Sequence, residues 1–476
     1  MQIHHAFLTR AVLGSLLAAV PAAAQPVDCA CAGAYEVGDR VSALVDNPTG
    51  ASGVFAGAVG TVICGAAPSG LPESVLVRWD DWSRGSSINV NLCDCAAPAG
   101  GGTSADWIAT CDEIALLPVR NITQDSWHTT IADGIAAANQ GDELELGAGV
   151  FYERGLILND MDLTIRGQGP DQTIIDGEFV KERIFLIENG DESTFEGMTI
   201  RNGNSTRLSY AGAMLILDPA TSITMRDCHF INNGADDIDA GAVAVSGAQL
   251  VLDRCVFRGS RARSLSNGAS LNVSLAGASL VATQCVFEGG RGGGAEVHFQ
   301  SSTGRFVNCT FANSASNQEF YVRSVVNAEI DVVGCVFDSN AATFRVVADG
   351  TVALSRSVYP NASGDNIDGV PTYVDPIGGD LRLAPGSLGI DAADWDAYVA
   401  ASGDLHDLGG APRFQDDPGV FNTGITSSTL LDAGAFEFQG ASPVQAVCPG
   451  DLDNDGDTDL NDFTILASDF GCVPMP

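Results

Sequence analysis

A three-residue pattern returns through the middle of this chain at intervals of 22 to 30 residues: Met198-Thr199-Ile200, Cys228-His229-Phe230, Cys255-Val256-Phe257, Cys285-Val286-Phe287, Cys309-Thr310-Phe311, Cys335-Val336-Phe337 and Ser357-Val358-Tyr359. Self-similarity at such a period means an array of stacked units, none of which closes a core alone. Residues one and three of a strand share a face, so the Cys or Met and its aromatic or Ile partner are expected to point inward together. Beyond the motif come Asn202, Asn232, Asn313 and, one place later, Asn340, each with a turn rich in Gly, Asn and Ser. A second signal, Gly212-Ala213, Gly241-Ala242, Gly268-Ala269 and Gly294-Ala295, opens a further alternating strand in each unit. Two or three short strands per unit, with no helical pattern between them, make one rung of a parallel β-helix whose rungs stack at roughly 4.8 Å. The fold class read from this pattern is all-β, a parallel β-solenoid.

Cys228, Cys255, Cys285, Cys309 and Cys335 share one rung position and are expected to form an internal ladder of thiols. A metal or redox site would draw on the same residue type, but one Cys per rung between apolar neighbours points to core packing.

These repeats resemble the right-handed parallel β-helix proteins of the pectin lyase-like superfamily. Thr130 to Ala138 reads as a short amphipathic helix ended near Gly141, followed by Glu143 to Leu146, Gly149 to Tyr152, Leu163 to Gly167 and Thr173 to Gly177. That order is similar to the capping helix and first rungs of the superfamily. The resemblance covers residues 125–365 and implies a fold more than a reaction, because one scaffold carries lyases, hydrolases, epimerases, adhesins and inert spacers.

Residues 1–24 read as a secretory signal, an apolar run after Arg10 ending in Ala22-Ala23-Ala24 before Gln25. No later run reaches the roughly 20 apolar residues of a membrane span, so a secreted or cell-surface protein is expected. With 60 acidic residues against 23 basic and a net charge of -37, nucleic acid and anionic lipid are unsuitable partners. In an oxidising compartment Cys29, Cys31, Cys64, Cys93, Cys95 and Cys111 are disulfide candidates of open connectivity, as are Cys448 and Cys472.

Residues 29–111 form a separate small module with strands over Arg40 to Val45, Val59 to Ile63 and Val75 to Trp79, and it resembles bacterial SH3-like barrels. Trp79 and Trp82 flank Asp80-Asp81 and serve either as core or as a stacking surface for sugar rings. An Ala-, Gly- and Pro-rich linker, Ala96 to Ser104, separates this module from the β-helix of residues 112–365. Within residues 366–440, Asp380 to Ser387, Gly389-Ile390-Asp391, Asp407 to Gly410, Arg413 and Asp432 to Glu437 resemble the choice-of-anchor region found after bacterial β-helices, and imply closing rungs and a cap.

In residues 441–476 the strongest local chemistry is Asp451, Asp453, Asp455, Gly456, Asp457 and Asp462. Acids at positions 1, 3, 5 and 12 of a loop, with Gly at 6, match an EF-hand: Ca2+ would take side-chain oxygens from Asp451, Asp453, Asp455 and Asp462 and the backbone carbonyl of Asp457. Leu460, Phe463, Leu466, Ala467 and Phe470 give an amphipathic helix after the loop, so the segment is similar to one repeat of a type I dockerin, a module that normally carries two and docks to a cohesin.

An outward face of the solenoid is the expected place for a site. Asn272, His298, Tyr321 and Arg345, separated by 26, 23 and 24 positions, are expected to stand in one outward column, with Ser270, Glu296, Glu319 and Thr343 beside it. Arg345 or Arg323 would neutralise a uronate while His298 or Tyr321 takes the α-proton, or Glu296 and Glu319 would act as the carboxylate pair of a retaining glycosidase. There is no paired-aspartate set before a Gly-His-Gly, and the single lysine, Lys181, excludes the lysine-plus-arginine arrangement of many polysaccharide lyases. The leading expectation is therefore a β-helix that binds polysaccharide or surface glycans, with a calcium-binding, dockerin-like tail for attachment to a cohesin-like or cell-envelope partner. The alternative is a polysaccharide lyase or glycoside hydrolase working through this face.

Overall fold

The computed structural model describes residues 40–43, 59–64, 74–79, 106–110, 114–205, 211–235, 240–262, 268–291, 295–313, 322–325, 327–338, 344–347, 350–402, 404–417, 420, 423 and 431–440. The chain divides into two units, Met1–Leu117 and Pro118–Pro476. In the first, a five-stranded antiparallel sheet has the order Asp106–Thr110, Ser74–Trp79, Val59–Cys64, Arg40–Ala43, Ile114–Leu116. Three of these strands were legible as alternating apolar runs. The other two lie beyond the Ala- and Gly-rich linker and carry the unit past residue 111 to Leu117. Of the cysteines expected to pair, only Cys64 falls in a described strand; Cys29, Cys31, Cys93, Cys95, Cys111, Cys448 and Cys472 lie outside the described residues, as do residues 1–24 and Trp82.

The second unit is a parallel β-solenoid. It opens with a helix, Ile131–Ala137, whose first turn is fixed by Thr130 Oγ1 accepting from the Asp133 amide at 3.0 Å. Glu153 caps the same end, accepting from the Ile131 and Ala132 amides at 2.7 and 2.9 Å. Ile131 and Ile135 turn into the solenoid core, so the helix closes its first rung.

Each rung then contributes one strand to each of three sheets. The first sheet has eight strands, from Leu156–Asn159 to Phe344–Val347. Nine parallel strands of the second run from Glu143–Leu146 to Thr351–Ser355, preceded by the antiparallel pair Val119–Asn121 and Ser126–His128. The third has ten, from Gly149–Phe151 to Ile367–Asp368, and holds the repeating motif.

Positions one and three of the motif do face inward. Cys228, Cys255, Cys285, Cys309 and Cys335 are buried, unpaired and surrounded by the main core, and burial pushes the thiols of the first four well up. Beside them Phe230, Phe257, Phe287, Phe311 and Phe337 stack ring on ring at 4.6 to 5.2 Å, interplanar angles 5 to 14°. Each ring adds roughly 1.5–3 kcal/mol of burial, and each stacked pair about 0.5–1.5 kcal/mol more.

Immediately before each motif, one residue in the left-handed conformation turns the corner between the second and third sheets: Gly197, Asp227, Arg254, Gln284, Asn308, Gly334 and Arg356. A side chain there is disfavoured by roughly 1–2 kcal/mol, so the non-glycine corners need outside support. From Arg254 onward each is held by the C-terminal segment. Arg254 pairs with Asp404; Gln284 Nε2 donates to the Tyr398 hydroxyl at 2.7 Å; Asn308 Nδ2 donates to the Asp432 carbonyl at 2.7 Å. Gly334 accepts from the Gly434 amide at 2.8 Å, and Arg356 Nη1 donates to the Thr423 carbonyl at 2.6 Å.

Residues 366–440 thus add one closing strand, Ile367–Asp368, and then fold back along the outside of the third sheet. Val256 and Val286 are covered there by Leu381 and Ala435, and Val307, Val336 and Val358 by Ala393, Tyr398, Leu431 and Ala433. The segment's own signature residues gather into one buried polar knot. Asp432 accepts from the Asp391 and Phe438 amides at 2.8 and 2.5 Å, Glu437 from Gln415 and Asp432 at 3.0 and 3.1 Å, and Asp407 from Glu437 and Ala411 at 2.9 and 2.8 Å. Arg413, fully buried, donates to the Asp432 and Gly434 carbonyls at 3.2 and 2.7 Å.

Candidate functional site

With the third sheet's outer face covered, the other two differ in chemistry. On the second sheet a column of Glu145, Arg166, Glu196, Arg226 and Asp253 alternates in sign from rung to rung. Arg166 bonds Glu143 at 2.7 Å and Glu196 at 3.2 Å there. Cross-strand charge pairs of this kind fix the register of otherwise similar rungs.

The first sheet instead carries a groove. Its outward column reads Ile157, Leu186, Leu215, Ala244, Asn272, His298, apolar in the early rungs and polar from Asn272 on, and the ladder brings Arg323 and Arg345 to the same register position in the next two rungs. Two places further along the strands lies a second column, Leu217, Ser246, Ser274, Gln300. Between these columns and the turn residues Leu275, Ala276 and Ser301 is a hollow of about 570 Å³.

Asn272, His298 and Arg345 thus share the column assigned to them by spacing, but the place given to Tyr321 is held by Arg323. The ladder aligns Val322 with the inward Val297, so the steps are 26, 25 and 22 residues (298 − 272, 323 − 298, 345 − 323). The apolar-polar-apolar triplet Phe320-Tyr321-Val322 offered a plausible register two residues out, and nothing in period-two alternation separates the two choices. Glu319, Tyr321 and Thr343 lie outside the described residues, as do the calcium candidates Asp451, Asp453, Asp455, Asp457 and Asp462.

Two titratable side chains sit close together on this face, two residues apart on the strand Ala295–Gln300. His298 is 4 % exposed, with Nδ1 2.7 Å from Asn272 Oδ1. Glu296 is 1 % exposed; its Oε1 accepts from the Ser270 hydroxyl, and a Cβ on Gly290 would collide with Oε2. Burial pushes the Glu296 carboxyl up to about 7, and the charge of Glu288 adds to this, against the opposing hydrogen bonds of Ser270 and Gly290. Glu288 is itself held by Arg258 Nε at 2.6 Å and Asn313 Nδ2 at 3.2 Å. That carboxylate was missed because it lies on the third sheet, across a glycine corner from Glu296; a pairing between different sheets leaves no periodic trace.

Comparison with known proteins agrees on the fold. A family model described as right handed beta helix region matches residues 165–358, so the solenoid is a right-handed parallel β-helix. Among solved structures, a pectin methylesterase in complex with a hexasaccharide is 12 % identical, with a TM-score of 0.25, covering 52 % of this chain and 91 % of that one. Pectin methylesterase from Erwinia chrysanthemi is 11 % identical, TM-score 0.24, covering 51 % and 89 %. A tailspike protein of Acinetobacter baumannii bacteriophage Fri1, a capsular polysaccharide depolymerase, is 10 % identical, TM-score 0.23, covering 73 % and 74 %. No curated protein matches the chain. Among the described residues no helix is long and apolar enough to cross a membrane.

Proposed function

We propose that this is a secreted or cell-surface β-helix protein that binds a polysaccharide along the outer face of its first sheet. The observation that carries this reading is the register that brings Asn272, His298, Arg323 and Arg345 to one position of four successive rungs, roughly 4.8 Å apart, with Asn272 also lining the hollow. A polymer of similar repeat meets such a ladder unit by unit, and binding needs no catalytic group. Calorimetric titration of the full chain against acidic and neutral glycans tests it. Binding to an acidic glycan, weakened about tenfold in His298→Ala or Arg345→Ala, is expected. Failure of every glycan to bind would overturn it.

Catalysis is a second reading favoured by one observation, the Glu296 carboxyl held up to about 7 on the same strand face as His298. A group so placed keeps its proton near neutral pH and can deliver it to a leaving oxygen. New reducing ends or unsaturated products, abolished in Glu296→Gln, would establish that activity.

For the tail, the donor set of Asp451, Asp453, Asp455 and Asp462 with Gly456 at the turn suits a hard oxygen-seeking cation, and its attachment role is part of the same proposal. Calcium titration of the full chain is expected to give a binding isotherm that Asp451→Ala or Asp462→Ala removes; an unchanged isotherm would reject the site.

A further inference from the structure

We infer that the glycan face has a second, cationic subsite at Lys181 and Arg183, and that its ligand is an extended chain whose acidic units are separated by uncharged ones. This deepens the glycan-binding reading and rests on it. A hollow of about 450 Å³ is lined by Ile157, Val180, Lys181, Glu182, Arg183 and Leu186. Leu186 lies in register with Ile157 on one side and with Leu215 on the other, and Leu215 lines the larger groove. The two hollows therefore follow one another along a single outward column, with Leu215, Leu217 and Ala244 between the cationic end and Asn272.

Cations are scarce in this chain, 23 against 60 acids, and most of the described arginines are tied to carboxylates. Arg183 differs. Its half-buried guanidinium makes no ion pair or side-chain hydrogen bond among the described residues; burial, the largest influence on it, works against its charge, while the nearby charges of Glu188 and then Glu182 support it. Glu182 rims the same hollow, but its carboxylate is drawn toward Arg154 Nε at 3.7 Å. A partly desolvated cation beside the chain's single lysine is a place for an external carboxylate or sulfate.

Geometry then restricts the ligand. Leu186 and the register position of Arg323 are five ladder steps apart, about 24 Å, so a short oligosaccharide reaches only one of the two ends. A polymer charged on every unit would place carboxylates over Leu215, Leu217 and Ala244, where they lose water and gain no partner. Uncharged units suit that stretch, and acidic units suit its two ends.

The test is calorimetric titration of the full chain with a polyuronate, with its partly methyl-esterified form, and with an acidic disaccharide. The wild type is expected to prefer the partly esterified polymer. Lys181→Gln/Arg183→Gln is expected to weaken that polymer about tenfold and to abolish the preference for it over the disaccharide. Full affinity in the double variant, while His298→Ala loses binding, would remove the subsite and leave the glycan reading intact. No binding of any glycan by the wild type would remove the underlying reading and this one with it.

Discussion

Asn272 and His298, one strand apart on the outer face of the first sheet, share a hydrogen bond of 2.7 Å between Oδ1 and Nδ1. An amide oxygen only accepts, so Nδ1 carries the proton of this bond. Both side chains are almost fully buried, so the bond also fixes the plane of the imidazole, and Asn272 in turn lines the hollow. The polarity of the column begins at this pair; one rung earlier the same position is Ala244.

Breaking the pair should therefore cost stability as well as binding. His298→Ala leaves a buried amide without its ring partner, which costs about 1–3 kcal/mol, and Asn272→Ala does the same to the ring. A double-mutant cycle read by thermal unfolding is expected to show a coupling energy above about 0.5 kcal/mol. Additive single effects would mean that the bond does not hold the site together.

Glu296 gives the face a pH dependence whose sign follows from its position. Its folded value of about 7 stands above its ordinary 4.5, so the folded state holds the proton more tightly. The associated stability is fully present below about pH 4.5 and is lost as pH rises through about 7, a change on the order of 3 kcal/mol. Glu296→Gln keeps the shape without the titration. Its unfolding midpoint is expected to match the wild type near pH 4 and to exceed it at pH 8. Parallel curves for the two proteins would show that Glu296 is not held protonated.

Much of this architecture is written in the sequence because the inward residues repeat with one chemistry. Cys228 to Cys335 and Phe230 to Phe337 recur in type as well as in place, and their strands could be aligned by eye. The corner residues recur only in backbone conformation: Asp227, Arg254, Gln284, Asn308 and Gly334 have no side chain in common, and their fitness comes from contacts with residues up to 150 positions away. Asp391, Asp407, Arg413, Asp432 and Glu437 looked like a signature for closing rungs, yet fold back over the third sheet, because the outward Val256, Val286, Val336 and Val358 need covering and alternation alone does not say by what. At the site, Asn272, His298 and Arg345 were legible from spacing. Arg323 was missed because a shift of two residues keeps the same face, so alternation alone could not choose between Tyr321 and Arg323.

The thiol ladder should be chemically silent in the native protein. Cys228, Cys255, Cys285 and Cys309 are fully buried, and burial pushes their thiols up, away from the reactive thiolate. An aromatic disulfide reagent is expected to modify none of the ladder cysteines until denaturant is added, by peptide mass mapping. Cys285→Ser, which places a hydroxyl among apolar neighbours, is expected to destabilise more than Cys285→Ala, although Ala removes more volume. Native modification of Cys255 or Cys285 would show that the core opens to solvent.

Arg413 is the residue on which the C-terminal clasp depends most. Its guanidinium is fully buried, lies 5.3 Å over the Tyr398 ring, faces Glu437 at 3.7 Å and bonds the carbonyls of Asp432 and Gly434. Burial pushes the carboxyls of Asp432 and Glu437 up, the former to about 7, while Arg413 draws both down. Arg413→Met keeps most of the volume but leaves the buried Asp432 and Gly434 carbonyls without their donor, which costs about 1–3 kcal/mol each. The loss should be local, since Asp432 and Gly434 grip the corners at Asn308 and Gly334 whereas the Phe stack lies inside the solenoid. Hydrogen exchange is expected to show protection falling across residues 389–402 and 431–438 with little change in the strands Val256–Arg258 and Val286–Glu288. In the wild type the same segment should loosen as pH rises through 7, because its carboxyls are more basic folded than unfolded and their stabilising protons are then lost. Equal protection in both proteins, at pH 5 and at pH 8, would show that the clasp is held by apolar packing alone.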